Sequence, residues 1–84
     1  MGYHVRAIAK GKLGEFSKIR EEFEEMADAI EQSNPIMALL EASDLVGAVE
    51  AWASKYGITI EDVLSMKSAT YRAFVDGTRK SREE

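Results

Sequence analysis

Apolar residues recur at helical spacing in three stretches of this chain, and residues that start or stop helices bound each stretch. Ser17 reads as the N-cap of a first helix running to about Gln32. Ile19, Phe23, Met26, Ala27 and Ile30 form a single stripe along it. Ser33-Asn34-Pro35 then breaks the pattern, with Asn34 suited to cap and Pro35 to the first helical position. A second helix is predicted from Pro35 to about Tyr56, ended by a left-handed Gly57. Its apolar residues Ile36, Leu39, Leu40, Leu45, Val46, Val49 and Trp52 go almost all the way round, as on a helix covered from several sides, with Trp52 in the core. Thr59 caps a predicted third helix, Ile60 to about Asp76, with apolar Ile60, Val63, Leu64, Met66, Tyr71, Phe74 and Val75.

No pair of alternating runs joined by a hairpin turn stands out. The expectation is an all-α fold of three main helices in a single domain, 1–84. Residues 1–16 would form an N-terminal arm, with a short extended stretch at Tyr3–Ala9, and 77–84 a flexible polar tail. Three helices cannot cover a central one that is apolar all round. The predicted remedy is a helical bundle completed by oligomerisation, as a dimer or tetramer.

Composition narrows the chemistry. With 84 residues the chain makes one small domain. It has no cysteine, so thiolate metal sites and disulfides are excluded, and the single His4 cannot make a histidine-rich zinc site. No apolar run is long enough to cross a bilayer and no signal-peptide pattern appears at the N-terminus, so the expected setting is cytoplasmic with no membrane partner. A net charge of −4 argues against capture of nucleic acid. The acid is concentrated between Glu21 and Glu50. Basic residues flank it: His4, Arg6, Lys10, Lys12, Lys18 and Arg20 before, then Lys67, Arg72, Arg79, Lys80 and Arg82 after.

Two acidic pairs stand three residues apart, Glu22/Glu25 and Glu41/Asp44, and each pair shares a helix face. From Pro35 to Ala53 the only charges are Glu41, Asp44 and Glu50, so the second pair projects from an apolar element. Carboxylates in such a setting repel one another and lose hydration, at several kcal/mol unless something positive joins them. A divalent cation is the simplest compensation. Relative to the apolar stripe of the first helix, Glu22 and Glu25 are the better-placed acids. Glu21 points away, and Glu24, Asp28, Glu31 and Glu50 read as surface residues. Four carboxylates without cysteine or histidine favour Mg²⁺ or Mn²⁺ over zinc. Ala48, Ala51 and Lys55 share the sector of Glu41 and Asp44, and the alanines leave room there for a ligand.

Written together, the acids are Glu21-Glu22-x-x-Glu25, fifteen residues, then Glu41-x-x-Asp44. In this the chain resembles the MazG-like, all-α nucleoside triphosphate pyrophosphohydrolases, a superfamily that includes phosphoribosyl-ATP pyrophosphohydrolases and α-helical dUTPases. Glu41-Ala-Ser-Asp-Leu-Val-Gly-Ala-Val-Glu-Ala-Trp looks like that family's second metal helix and Ile58-Thr-Ile-Glu-Asp-Val-Leu like the start of its third. The likeness covers roughly 17–74 and is nearest to short stand-alone members of the kind phages encode. It implies Glu22, Glu25, Glu41 and Asp44 as ligands of Mg²⁺ or Mn²⁺. It also implies hydrolysis of a nucleoside triphosphate to the monophosphate and pyrophosphate, with Glu22 or Glu25 orienting or deprotonating the attacking water.

Lys67 and Arg72 fall where the family's third helix commonly supplies basic residues. With Lys55 and Arg79 they are the expected phosphate contacts, and Trp52 or Tyr56 is available to stack on a base. The Asn usual in the family's third metal-facing segment is replaced here by Ser68-Ala69-Thr70. That departure motivates an alternative, a non-catalytic nucleotide-binding or sequestering protein on the same scaffold. A third reading is a helical module whose apolar face mates with a foreign partner.

Overall fold

The structure is a computed structural model that describes residues 4–77. It contains three α-helices, α1 (Phe16–Glu31), α2 (Pro35–Ser54) and α3 (Ile60–Asp76), and no strand among the described residues. The Tyr3–Ala9 stretch accordingly contributes no sheet within its described part. Arg79 lies outside the described residues.

The starts of α2 and α3 follow from their caps. Asn34 Oδ1 accepts from the Met37 amide at 3.0 Å, and Pro35 opens the helix. At Thr59 the exchange is reciprocal: Thr59 Oγ1 accepts from the Asp62 amide and an Asp62 carboxylate oxygen from the Thr59 amide, both at 3.1 Å. Helix α1 departs from expectation. Its N-cap is Glu15, without a side-chain bond, and Ser17 lies inside the first turn. A turn that closes from the Glu15 amide to Lys12 O brings the Lys12 amide over Ser17 Oγ at 3.1 Å. The hydroxyl therefore holds the arm instead of the helix end. Helix α2 stops at Ser54 rather than Tyr56. Past left-handed Gly57 (φ 72°), the Ile58 amide reaches back to Ala53 O, a Schellman-type ending.

The short loop from Gln32 to Asn34 turns α1 back on α2 as an antiparallel pair. Helix α3 touches the C-terminal part of α2 and does not meet α1. The radius of gyration, 14.8 Å, exceeds the roughly 12 Å of a compact chain of this length.

What the helix pair buries reverses the usual pattern. The apolar interior is Ala29, Met37, Ala48 and Ala53, and beside them lie four buried carboxylates, Glu21, Glu22, Asp28 and Glu41. Phe23, Ile30, Ile36, Leu39, Leu40 and Val46 face outward. Trp52, expected in the core, is 37 % exposed and meets Tyr56 edge-on at 5.4 Å between ring centroids. A pair of helices has one shared face. Here the arm brings hydrogen-bond donors and positive charge to the acidic face, so that face closes within the chain and the apolar one is left outside.

Candidate metal centre

The centre is built from α1, α2 and the arm. Ligating atoms of Glu22, Glu41 and Asp44 lie within 4.8 Å of one another. Those of Glu21, Glu22 and Glu25, and of His4, Glu25 and Glu41, do the same. The overlapping sets bring all four expected ligands, Glu22, Glu25, Glu41 and Asp44, into one neighbourhood. Glu41 is 1 % exposed and Glu22 6 %, Glu25 is half-buried, and Asp44 opens to solvent. A cation held by this group would therefore keep one side accessible.

Glu21 and Asp28 are corrections to the sequence reading. Glu21 is buried, not turned away. Its Oε1 accepts from the Gly11 amide at 2.8 Å and from Lys18 Nζ at 3.1 Å, and Lys10 Nζ lies 3.8 Å from Oε2. Burial alone would raise its pKa, but these donors outweigh that and lower it. Asp28, expected on the surface, is fully buried. It accepts from His4 Nδ1 (2.8 Å), Gln32 Nε2 (2.8 Å) and the amides of Val5 (3.1 Å) and Arg6 (3.2 Å). Against the opposing effect of burial, these bonds hold Asp28 below the usual carboxylate range. Arg6 is tied to Glu31 on the same side. The arm thus lies on α1 at two carboxylates, Glu21 and Asp28.

His4 also crosses to α2, with Nε2 3.0 Å from Glu41 Oε2. Burial disfavours its charged form, yet the bonds to Asp28 and Glu41 prevail and raise its pKa. Lys18 does the same at the other end, 3.1 Å from Glu22 Oε2, its pKa raised by Glu21 and Glu22. Even so the centre carries excess negative charge. Loss of hydration, a hydrogen bond with Glu22 and repulsion from Glu22, Glu41 and Glu21 push the Glu25 carboxyl up to about 7. Glu22 Oε1 is buried and accepts no hydrogen bond. An acceptor of this kind, beside a Glu25 carboxyl pushed toward its protonated form, fits a divalent cation.

Three of the expected phosphate contacts, Lys55, Lys67 and Arg72, fall within the described residues. Lys55 follows the end of α2, exposed, and Arg72 is exposed on α3. Lys67 borders the apolar groove that α3 makes with Trp52, Ala53 and Ile58. Among the described residues, the cations paired with the acidic centre include His4, Lys10 and Lys18. Ala48, expected to leave room for a ligand, is buried within the chain. Among these, Lys18 was open to sequence reasoning, standing three and four residues before Glu21 and Glu22 on one helix. His4 had no such signal, because its acceptors are 24 and 37 residues away.

Comparison with protein families, with curated proteins and with solved structures finds no match to this chain.

Proposed function

We propose that this chain is a Mg²⁺- or Mn²⁺-dependent nucleoside triphosphate pyrophosphohydrolase, releasing the monophosphate and pyrophosphate. The observation that carries the reading is the convergence of Glu22, Glu25, Glu41 and Asp44, with Glu22 Oε1 buried and lacking a donor. The Glu-Glu-x-x-Glu and Glu-x-x-Asp spacing that resembles the MazG-like enzymes joins the same residues.

In this reading Glu22, Glu25, Glu41 and Asp44 hold the ion, with solvent-facing Asp44 on the side where phosphate oxygens arrive. The ion supplies charge neutralisation on the phosphates and acidifies water. Glu22 or Glu25 orients or deprotonates the attacking water. Glu21, fixed by Gly11 and Lys18, adds a further negative charge beside Glu22 and Glu25. A second copy of the chain covers the outward apolar faces of α1 and α2 and brings Lys67 and Arg72 of α3 toward the centre, in a dimer or tetramer. Lys55, Lys67, Arg72 and Arg79 are the residues proposed to meet the triphosphate there.

A panel of nucleoside triphosphates, assayed for pyrophosphate against orthophosphate with and without Mg²⁺, tests this directly. Glu41→Gln and Asp44→Ala proteins of unchanged helix content should lose about a hundredfold or more of the activity. Full activity in both would remove the metal role. The absence of the family's Asn, replaced by Ser68-Ala69-Thr70, favours a second reading, a nucleotide-sequestering protein. Calorimetric binding of a nucleotide that is recovered intact after long incubation with Mg²⁺ would select it.

A further inference from the structure

The four expected ligands are all oxygens, yet the arm carries an imidazole into the same centre. His4 Nδ1 stands 2.8 Å from Asp28 Oδ2, on a carboxylate that already takes three other donors and is fully buried. An ionised Asp28 in that position fixes the ring: Nδ1 carries the hydrogen and Nε2 points at α2. There Nε2 meets Glu41 Oε2 at 3.0 Å, and the ligating atoms of His4, Glu25 and Glu41 all lie within 4.8 Å. A carboxylate behind one ring nitrogen and a metal on the other is the usual arrangement of a ligating histidine, where the carboxylate sets ring orientation and strengthens the donor. Two donors each about 2.1 Å from an ion and at right angles to one another are about 3.0 Å apart, so the observed pair needs little movement to bind.

We propose that His4 Nε2, Glu25 and Glu41 form a mixed nitrogen–oxygen subsite for a divalent ion of the first transition row, with Asp28 as the positioning carboxylate behind His4. The inference rests on the metal reading above and deepens it. Glu25 and Glu41 are shared with the all-oxygen group that includes Glu22 and Asp44, so the two subsites adjoin. Imidazole binds Zn²⁺ and Co²⁺ well and Mn²⁺ more weakly, but adds little for Mg²⁺, which prefers oxygen. Without an ion, a proton between Nε2 and Glu41 Oε2 links arm to α2. The ion takes that place and the proton leaves to solvent. Glu22 Oε1, buried without a donor beside Glu21 and Glu25, independently marks this acidic centre as one built around positive charge.

The chain has one histidine, which makes the test specific. Tag-free protein is titrated with Mn²⁺, and the bound ion is read by electron spin-echo modulation, with natural-abundance and ¹⁵N-histidine protein compared. An imidazole nitrogen coupling that changes with the isotope is expected. It should vanish in His4→Gln, whose Mn²⁺ affinity should fall about tenfold to a hundredfold with Mg²⁺ affinity little changed. Because the spectrum is recorded on the unsubstituted protein, the test survives a variant that fails to fold. Bound Mn²⁺ without nitrogen coupling would overturn the role of His4 and leave the oxygen-ligand reading standing. No Mn²⁺ bound at all would overturn both.

Discussion

Glu25 shows how much the centre depends on what neutralises it. Its carboxyl sits near 7 in the fold, against an ordinary value of 4.5. Between those two values the folded chain holds more protons than the unfolded one, so stability without an ion falls as pH rises through that window. His4 acts in the same direction: its raised pKa means a contribution present below its ordinary 6.5 and lost as pH climbs through the folded value. Asp28 acts oppositely, and its contribution is lost only as pH falls below the usual carboxylate range. Thermal melts in EDTA should therefore show a midpoint that drops from about pH 5 to about pH 7.5, with the slope reduced in Glu25→Gln. Adding Mn²⁺ at the upper pH should restore the midpoint. A flat or rising profile in EDTA would contradict this account of Glu25.

The elements were legible where their signals are local. Asn34 and Thr59 cap the helices they were expected to cap, since a cap is settled within three residues. That Glu22 and Glu25 share one face, and Glu41 and Asp44 another, follows from spacing three residues apart; that the two faces meet depends on how α1 packs on α2, which spacing does not fix. Glu21 and Asp28 differ from expectation for one reason: a helical wheel takes the apolar stripe to face inward, and in this chain Phe23 and Ile30 of that stripe face out. The arm's contacts are not legible in the sequence, because backbone amides donating to side chains leave no periodic trace.

Gly11 is the arm's narrowest point. A Cβ there would lie 2.2 Å from the Ser17 carbonyl oxygen, so Gly11→Ala must lift the segment. Glu21 would then lose its amide donor, at about 1–3 kcal/mol for a buried acceptor. The expected result is a lower melting point and faster hydrogen exchange at Val5 and Arg6, with α3 unaffected. Exchange at those amides unchanged from the parent protein would show that the arm is held without Gly11.

At the scale of the whole molecule, a chain with carboxylates inside and Phe23, Ile36, Leu39, Leu40 and Val46 outside leaves an apolar face uncovered. Its extended α3, in contact with α2 alone, points the same way. The proposal of a dimer or tetramer makes a definite expectation. Sedimentation at micromolar concentration should give a species of at least twice the chain mass, and Leu39→Glu should shift it toward the single chain with helix content retained. A parent protein that sediments as one well-folded chain would refute the subunit-interface reading.

Because the arm precedes its acceptors, translation itself imposes a schedule. His4 emerges from the ribosome 24 residues ahead of Asp28 and 37 ahead of Glu41. The arm's bonds to Asp28 and Glu21 need only α1 and can form as soon as that helix is made. The bond from His4 to Glu41 must wait for α2, so the arm is seated on one helix before it can tie the second to it.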